Sequence, residues 1–553
     1  MKKQSFLAGS AILMVSAAAV KILGAVFKIP LANMLGGTGM GYFSCAYGIF
    51  MPIYAVSVTG LPTAVAAVTA ENRALGHLEN ILKIRKTALT VFGLFGLAAS
   101  LLLMLLAVPI CRLSGTEYVL PSVLMIAPTI LTGCLTAVYR GLWEGMRNMY
   151  PTAISQVIEA AVKLLWGLSF CGLTLALARE RPMLYAELFA FMGDDPLSEE
   201  AVLSAASAAA VSGITVSGLF SALYLAIKDG GFRREIGLEI PENTDEKVMG
   251  QLLSVAVPVA VGSLITNLTS IADLATITAI IGKTAAENLD YFSSICGGLD
   301  DPGQIANFIF GSFTGLAVTV FNLVPSFTNM FGKGMIPAMS EAWAAGDSER
   351  IRRSVCDGIT ACAVVAFPCG LGISTLAEPV LFTLFASRPD EAAISVMPLK
   401  ILGIGVVFLS LTAPIFAMLQ AAGRADIPVK LMAAGAAVKL LLNLLLVPIP
   451  SVNVSGAAMA TTVCYGLLST VSVTVLCHHT KTGLGEALSP IFGICFSGIL
   501  CALGAGLVSD MLADGVSRVV NLGISVIFGG LIYIISIFLQ PKLMKRMLKM
   551  LKS

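Results

Sequence analysis

Glu71-Asn72-Arg73-Ala74-Leu75-Gly76-His77-Leu78-Glu79-Asn80-Ile81 closes an apolar segment, and it returns 270 residues later as Glu341-Ala342-Trp343-Ala344-Ala345-Gly346-Asp347-Ser348-Glu349-Arg350-Ile351. Two glutamates, an alanine, a glycine and an isoleucine coincide at one spacing, which marks the chain as two copies of one unit. Upstream of the first copy, Lys21 and Lys28 interrupt an apolar span, Leu35-Gly36-Gly37-Thr38-Gly39 reads as a glycine turn, and a second apolar span leads into the motif.

Composition sets the class. Of 553 residues, 57% are hydrophobic and 12% charged, with a mean hydropathy of +0.88, too apolar for a soluble domain and right for a polytopic membrane protein. The net charge of +2 carries no basic face of the kind nucleic acid requires. The 12 cysteines stand singly, as Cys134 and Cys362 do inside apolar runs, and read as small packing residues. His77, His478 and His479 fall in polar connections, so no metal or other cofactor is expected.

Apolar segments of about 20 residues or more are expected near 6–31, 42–69, 88–110, 119–141, 153–177, 201–227, 249–281, 305–333, 355–386, 394–421, 427–449, 453–477, 487–508 and 517–540. The first is read as an uncleaved helix, not a signal peptide, because its apolar run continues past Lys21 to Leu35. These fourteen helices make an all-α integral membrane fold. The even-numbered connections are basic (Arg73, Lys83, Arg85 and Lys86; Arg140 and Arg147; Lys228, Arg233 and Arg234; Arg350, Arg352 and Arg353), as are Lys2, Lys3 and the tail. The odd-numbered ones are poor in Lys and Arg, and two are acidic: 179–200 with Asp194, Asp195, Glu199 and Glu200, and 283–306 with Asp290, Asp300 and Asp301. The positive-inside rule then places both termini in the cytoplasm of a multi-pass cell-membrane protein. The acidic insertions read as solvated hairpins or as a lid.

The repeat extends further. Ala161-Val162-Lys163-Leu164-Leu165 returns as Ala437-Val438-Lys439-Leu440-Leu441, and the loops before them pair Arg147 with Arg424 and Pro151 with Pro428. Helices 1–6 (an N-lobe, 1–227) thus map onto helices 7–12 (a C-lobe, 249–480), joined by a charged linker over 228–248 and followed by two extra helices and a basic tail over 481–553. Six is even, so the lobes are parallel repeats, an arrangement that alternating-access transporters use.

With its fourteen-helix plan, paired lobes, Lys21-Ile22-Leu23-Gly24 in helix 1 and the Ala70-Glu71 exit, the chain resembles the MOP flippase superfamily, in its stage V sporulation protein B, polysaccharide-exporter and MurJ branch. The resemblance implies a flippase, not an enzyme, that moves an undecaprenyl-linked oligosaccharide precursor from inner to outer leaflet, lipid II for peptidoglycan foremost. It implies the lipid bilayer and the cell-wall synthesis machinery as partners, a polyprenyl tail lying beside helices 13 and 14, and two basic residues of helix 1 directed at a central cavity. Lys21 and Lys28 fall at or near those two positions, as lysines where arginines are usual.

The residues themselves support that reading. An ionisable group in hydrocarbon costs at least about 2.5 kcal/mol, so it normally faces protein or a wet cavity. Lys21 and Lys28, seven apart, share a helix face, and their ammonium groups suit a lipid pyrophosphate; for Lys28 the alternative is snorkelling to an interface. Lys333 is a third candidate, with the same alternative. Glu159 and Lys163 have the spacing and order of a helical ion pair, either a self-neutralising pair or a gate. Lys439 lacks the glutamate and has Asn443 one turn on, with Asp273 as its expected counter-ion. Asp273, Asn443 and Thr461 equally resemble the cation site of some flippases, so coupling to membrane potential, sodium or protons stays open. Glu71 and Glu341 are expected to shape helix ends, or to gate. Two other classes compete: an exporter of drugs or small metabolites from the multidrug branch, and a membrane glycosyl- or acyltransferase, for which the chain offers no catalytic constellation.

Overall fold

The computed structural model describes residues 6–113, 117–189, 195–236, 246–424, 426–513, 515–541 and 543–544. Every regular element among them is helical, and the chain divides into two compact units, Met1–Ala275 and Thr276–Ser553. Unit 1 holds α1 (Phe6–Val58), α2 (Leu61–Ala74), α3 (Leu78–Leu113), α4 (Leu120–Ile126), α5 (Thr129–Gly145), α6 (Tyr150–Glu180), α7 (Pro182–Leu188), α8 (Glu199–Ile236) and most of α9 (Glu246–Glu287). Unit 2 holds α10 (Leu289–Ile295), α11 (Pro302–Ser312), α12 (Val318–Phe321), α13 (Leu323–Ala344), α14 (Ser348–Thr375), α15 (Ala377–Leu384), α16 (Pro389–Ala421), α17 (Asp426–Leu446), α18 (Val454–His479), α19 (Leu484–Met511) and α20 (Arg518–Phe538).

Among the described residues, 12 helical stretches are long and apolar enough to cross a bilayer, where the sequence leads one to expect fourteen. The first, Val15–Arg73, takes in two of the expected segments, and the one expected at 249–281 lies in α9, outside the twelve. The glycine turn expected at 35–39 is a single-residue break: only Gly36, at φ 64° and ψ −168°, leaves helical geometry inside α1. That region is open to glycine alone. Four further expected helices are interrupted: that at 42–69 between α1 and α2, that at 355–386 at Leu376 between α14 and α15, and two more. The one at 119–141 breaks between α4 and α5 at Ala127-Pro128, where proline has no N–H to give, and Ser100 Oγ donates to the Ala127 carbonyl over 2.8 Å. The one at 305–333 passes through a π-helical stretch, Phe313–Ala317, and breaks again at Asn322.

The repeated motif is a helix end. In the first copy the N–H of Gly76 donates to Arg73 O (3.1 Å) and that of His77 to Asn72 O (2.9 Å). In the second, Gly346 donates to Trp343 O (3.1 Å) and Asp347 to Ala342 O (3.1 Å). Both glycines have positive φ, +77° and +65°, the left-handed stop that satisfies a helix's last carbonyls. The later pair repeats the device at an offset of 276: Arg147 (φ 54°) ends α5 as Gly423 (φ 76°) ends α16. Arg147 is thus the counterpart of Gly423, and the pairing with Arg424 read from the sequence is one residue out. A non-glycine residue pays about 1 kcal/mol in that conformation. Arg147→Gly is therefore expected to raise the thermal unfolding midpoint in detergent, while Gly423→Arg lowers it.

Inside each unit the helices approach through small residues, as membrane packing requires, because lipid tails remove any hydrophobic drive between helices. α6 and α8 meet where a Cβ on Gly213 would stand 2.8 Å from the Cα of Gly167. In unit 2, α14 and α16 meet where a Cβ on Gly370 would stand 2.8 Å from the Gly403 carbonyl oxygen. α19 and α20 share the core of unit 2: Ile494, Cys501, Tyr533 and Ile537 pack with Ile359, Cys362 and Val407, and Tyr533 Oη donates to Val364 O over 2.7 Å. The opening turns of α9 contribute Val248, Leu252 and Ala256 to the core of unit 1. The two acidic insertions each carry a short helix, α7 and α10. Burial pushes the Cys296 thiol between α10 and α11 up to about 12, so it packs as an apolar group. Of the expected linker, 237–245 lies outside the described residues, and α8 continues to Ile236.

Candidate functional site

The first arm of α1 and the first half of α6 run side by side in one direction. Ser16 Oγ donates to Gln156 Oε1 (3.3 Å), and eleven residues further along both helices a Cβ on Gly167 would stand 2.8 Å from the Phe27 ring. The constant offset of 140 places Lys163 between Lys21 and Lys28 in height. Lys163 Nζ lies 5.0 Å from the centroid of the Phe27 ring, a cation–π contact. It is within electrostatic reach of Lys28, Lys21 and Glu159. The structure thus brings the two lysines of α1 together with the lysine of α6.

The acid in this cluster is held from elsewhere. Sequence spacing pairs Glu159 with Lys163, but the Glu159 carboxylate accepts from Arg140 of α5 over 2.6 Å. Arg140 also donates to Ser155 Oγ (2.9 Å) and to Ser221 Oγ (3.0 Å), so α5, α6 and α8 are tied at one guanidinium. Its side chain is 16% exposed and that of Glu159 38%. A planar fork with three partners is more than a point-charge contact: it fixes where the carboxylate sits. Lys21, Lys28 and Lys163 gather together, Glu159 lies within reach of Lys163, and Arg140 has both Glu159 and Glu144 within reach, so four cations outnumber two carboxylates inside a membrane-spanning unit.

Aromatic side chains flank the acid. Phe43, Tyr47, Phe50 and Tyr54 follow one another along the second arm of α1 at centroid spacings of 6.2, 6.1 and 5.0 Å. Tyr47 and Tyr54 lie within electrostatic reach of Glu159, and Tyr54 also of Arg140. Arg140, Ser155, Ser221 and both tyrosines are absent from the sequence-based expectation. Arg140 was read there as part of a basic connection, whereas α5 runs on to Gly145 and keeps it inside the helix.

Of the second expected centre, Lys439, Asn443 and Thr461 lie in unit 2 and Asp273 in unit 1. Lys439 is buried at 6% exposure, and Asn443 Nδ2 donates to Thr276 Oγ1 over 3.2 Å. The Thr461 hydroxyl donates to the carbonyl of Ala457, one turn back in its own helix (2.8 Å). The side chains of Asp273 and Lys333 lie outside the described residues. Glu71 and Glu341 are exposed, and their carbonyls accept from Leu75 (3.1 Å) and Ala345 (3.0 Å) at the repeated helix ends. Among the described residues no group of three or more His, Cys, Asp or Glu side chains is placed to hold a metal ion.

The sequence profile of the polysaccharide biosynthesis protein family matches residues 6–343, and that of the lipid II flippase MurJ family matches residues 304–509. Stage V sporulation protein B of Bacillus subtilis (strain 168) is 24% identical over 544 residues, 97% of this chain and 95% of that protein. Two solved structures share the fold. The lipid II flippase MurJ in an inward closed conformation has a TM-score of 0.62 at 13% identity, covering 95% of this chain and 98% of its own. An inward-facing multidrug resistance MATE family transporter has a TM-score of 0.60 at 12% identity, covering 85% and 99%. With its profile matched over more than half the length, the chain belongs to the polysaccharide biosynthesis protein family.

Proposed function

We propose that the protein is a flippase for an undecaprenyl-linked oligosaccharide precursor, lipid II foremost, carried from the inner to the outer leaflet by alternating access with both termini cytoplasmic. One observation carries this reading: among the described residues three lysines of α1 and α6 converge, while Glu159, the acid within reach of Lys163, is held by Arg140. A lipid pyrophosphate is a multiply charged anion, and a membrane-embedded cluster with an excess of cations is matched to it. Lys21, Lys28 and Lys163 are its head-group residues, Lys333 is the further candidate that the sequence offers, and Lys439 with Asn443 and Thr461 is an internal polar set of unit 2. A groove of about 560 Å³ between α19 and α20, lined by Phe496, Leu500, Ile532 and Ile535, supports placing the polyprenyl chain beside these helices. The name and the matching extent of the stage V sporulation protein B relative support a cell-wall or spore-wall cargo.

The test is reconstitution into liposomes carrying lipid II in the inner leaflet, with outer-leaflet exposure as the readout. Wild type is expected to expose it, and Lys21→Ala and Lys28→Ala each to lower the rate by roughly tenfold or more, the worth of one charge-assisted contact. Movement of a different polyprenyl-linked glycan would change the cargo and keep the site. Export of small cationic compounds with no lipid movement would replace the proposal by the multidrug reading, which the fold likeness to the MATE transporter favours.

A further inference from the structure

α5 ends at Gly145 and α6 begins at Tyr150, so the two helices run back from a short turn, and their facing sides carry a ladder of charge. On α5, Arg140 and Glu144 stand one turn apart on one face; on α6, Thr152, Ser155, Glu159 and Lys163 recur at spacings of three and four and share a face as well. Contacts across the seam fix the register. Glu144 faces Thr152, Arg140 donates to Ser155 Oγ (2.9 Å) and to the Glu159 carboxylate (2.6 Å), and Glu159 lies in electrostatic reach of Lys163. From the turn inward the order is acid, base, acid, base, and it ends at the lysines.

The two acids are not equivalent. Among the described residues the Arg140 guanidinium gives its hydrogen bonds to Ser155, Glu159 and Ser221, and none to Glu144. Arg140 also precedes Glu144 by four residues, the weaker order for a helical ion pair. Glu144 is half-buried, and Thr152 beside it is 1% exposed, with a hydroxyl that bonds to no third group among the described residues. A hydroxyl donates to a carboxylate and accepts from a carboxylic acid, so it serves either form. The charged and titratable groups around this seam are Arg140 of α5, Arg73 of α2, whose guanidinium donates to Met146 O, Glu159 and Lys163 of α6, and Tyr47 and Tyr54 of α1 beyond Glu159; α8 contributes Ser221.

From this arrangement we infer that Glu144 is a proton-binding site whose occupancy sets the charge of the cationic cluster. With Glu144 neutral, Arg140 answers Glu159 alone, and an anionic head group at the lysines meets one carboxylate instead of two. This rests on the proposed function above and adds its dependence on protons. A proton at Glu144 and an anion at the lysines have opposite charges, so each favours the other's binding, and the coupling is reciprocal: acid strengthens anion binding, and anion binding draws in a proton. Glu144 stands at the end of α5 that the positive-inside rule assigns to the cytoplasm, so the pH sensed is cytoplasmic.

The test uses the full-length protein in detergent. Infrared difference spectra of the cargo-free protein are expected to show a protonated carboxyl band that grows on acidification and is missing from Glu144→Gln; an unchanged band in the variant overturns the inference whatever the cargo is. Binding is then followed with a short-chain isoprenyl pyrophosphate esterified to a sugar, a probe of constant charge, as the pH falls from about 8 to about 6. Wild type is expected to bind several-fold more tightly at the acid end and to take up protons as it binds, whereas Glu144→Gln binds at the acid-end affinity throughout and takes up none. A pH dependence that persists in Glu144→Gln, or binding by wild type without proton uptake, overturns the inference. A second variant, Thr152→Val, keeps the carboxyl and removes its hydroxyl neighbour; it is expected to displace the midpoint of the pH dependence, and an unmoved midpoint counts against the site. Failure of the underlying reading looks different: wild type then binds no pyrophosphate probe at any pH, while the infrared band remains.

Discussion

Replacing Arg140 with alanine is expected to lower cargo movement by roughly 10- to 100-fold, the range of one or two charge-assisted contacts, although Arg140 need not touch the cargo. The guanidinium holds the Glu159 carboxylate at 2.6 Å. Once it is gone, the other cation in electrostatic reach of Glu159 is Lys163, at the i+4 position on the same helix. The acid then takes up a lysine that the head group needs, and the net charge of the cluster falls by one. Stability falls as well, because removing the guanidinium unties α5, α6 and α8 and leaves the half-buried Glu159 carboxylate without its hydrogen-bonded partner. The two effects separate in a double-mutant cycle. Arg140→Ala combined with Glu159→Gln restores the net charge of the cluster and removes the orphaned carboxylate. It is expected to recover most of the lost transport and most of the lost thermal stability, measured on the same detergent-solubilised preparation. Additive losses in the double variant would show that Arg140 serves only as a strut between α5, α6 and α8.

That network also marks where the sequence stops being readable. Gly76 and Gly346 were legible as a repeat because a left-handed helix stop demands glycine at one place in a local pattern, and local patterns survive in a single chain. Lys21, Lys28 and Lys163 were legible because charge in hydrocarbon is rare enough to be conspicuous. Arg140 was not. It stands five residues before the end of α5 and seven before Arg147, and counting cations by connection assigned both to the same loop. Its partners lie 15, 19 and 81 residues away on two other helices, a separation that no helical periodicity encodes. The pairing of Glu159 with Lys163 was incomplete for the same reason: the two lie within electrostatic reach, but the i,i+4 rule describes an isolated helix, and the carboxylate's hydrogen bond comes from a guanidinium of a neighbouring helix. The breaks in the helix expected at 305–333 were hidden too, since neither the π-helical stretch nor the stop at Asn322 carries a proline at its centre.

Gly36→Ala is expected to lower both stability and transport through backbone strain alone. At φ 64° and ψ −168° the backbone occupies a region essentially closed to any residue with a Cβ, at a strain of order 1–3 kcal/mol. The surroundings offer no relief: Leu31, Ala32, Leu35, Met40 and Tyr42 on either side are all at most 1% exposed, so neither arm of α1 can swing to relax the angle without opening packed contacts. The consequence reaches the site. Lys21 and Lys28 ride on the arm before Gly36, Tyr47 and Tyr54 on the arm after it, and this one residue sets the angle at which the lysines and the Glu159-facing tyrosines meet. The expected result is a lowered thermal midpoint together with loss of transport in whatever fraction stays folded. Gly24→Ala is the matched comparison, because it lies in the same arm with nothing within 4 Å of the added Cβ. There the methyl group meets open space in a regular helix and is expected to be neutral or stabilising by up to about 1 kcal/mol. Equal damage from both would mean that α1 tolerates no added bulk anywhere; damage confined to position 36 would locate the constraint in backbone conformation, where a two-arm helix carrying charge on one side and aromatic hydroxyls on the other needs it.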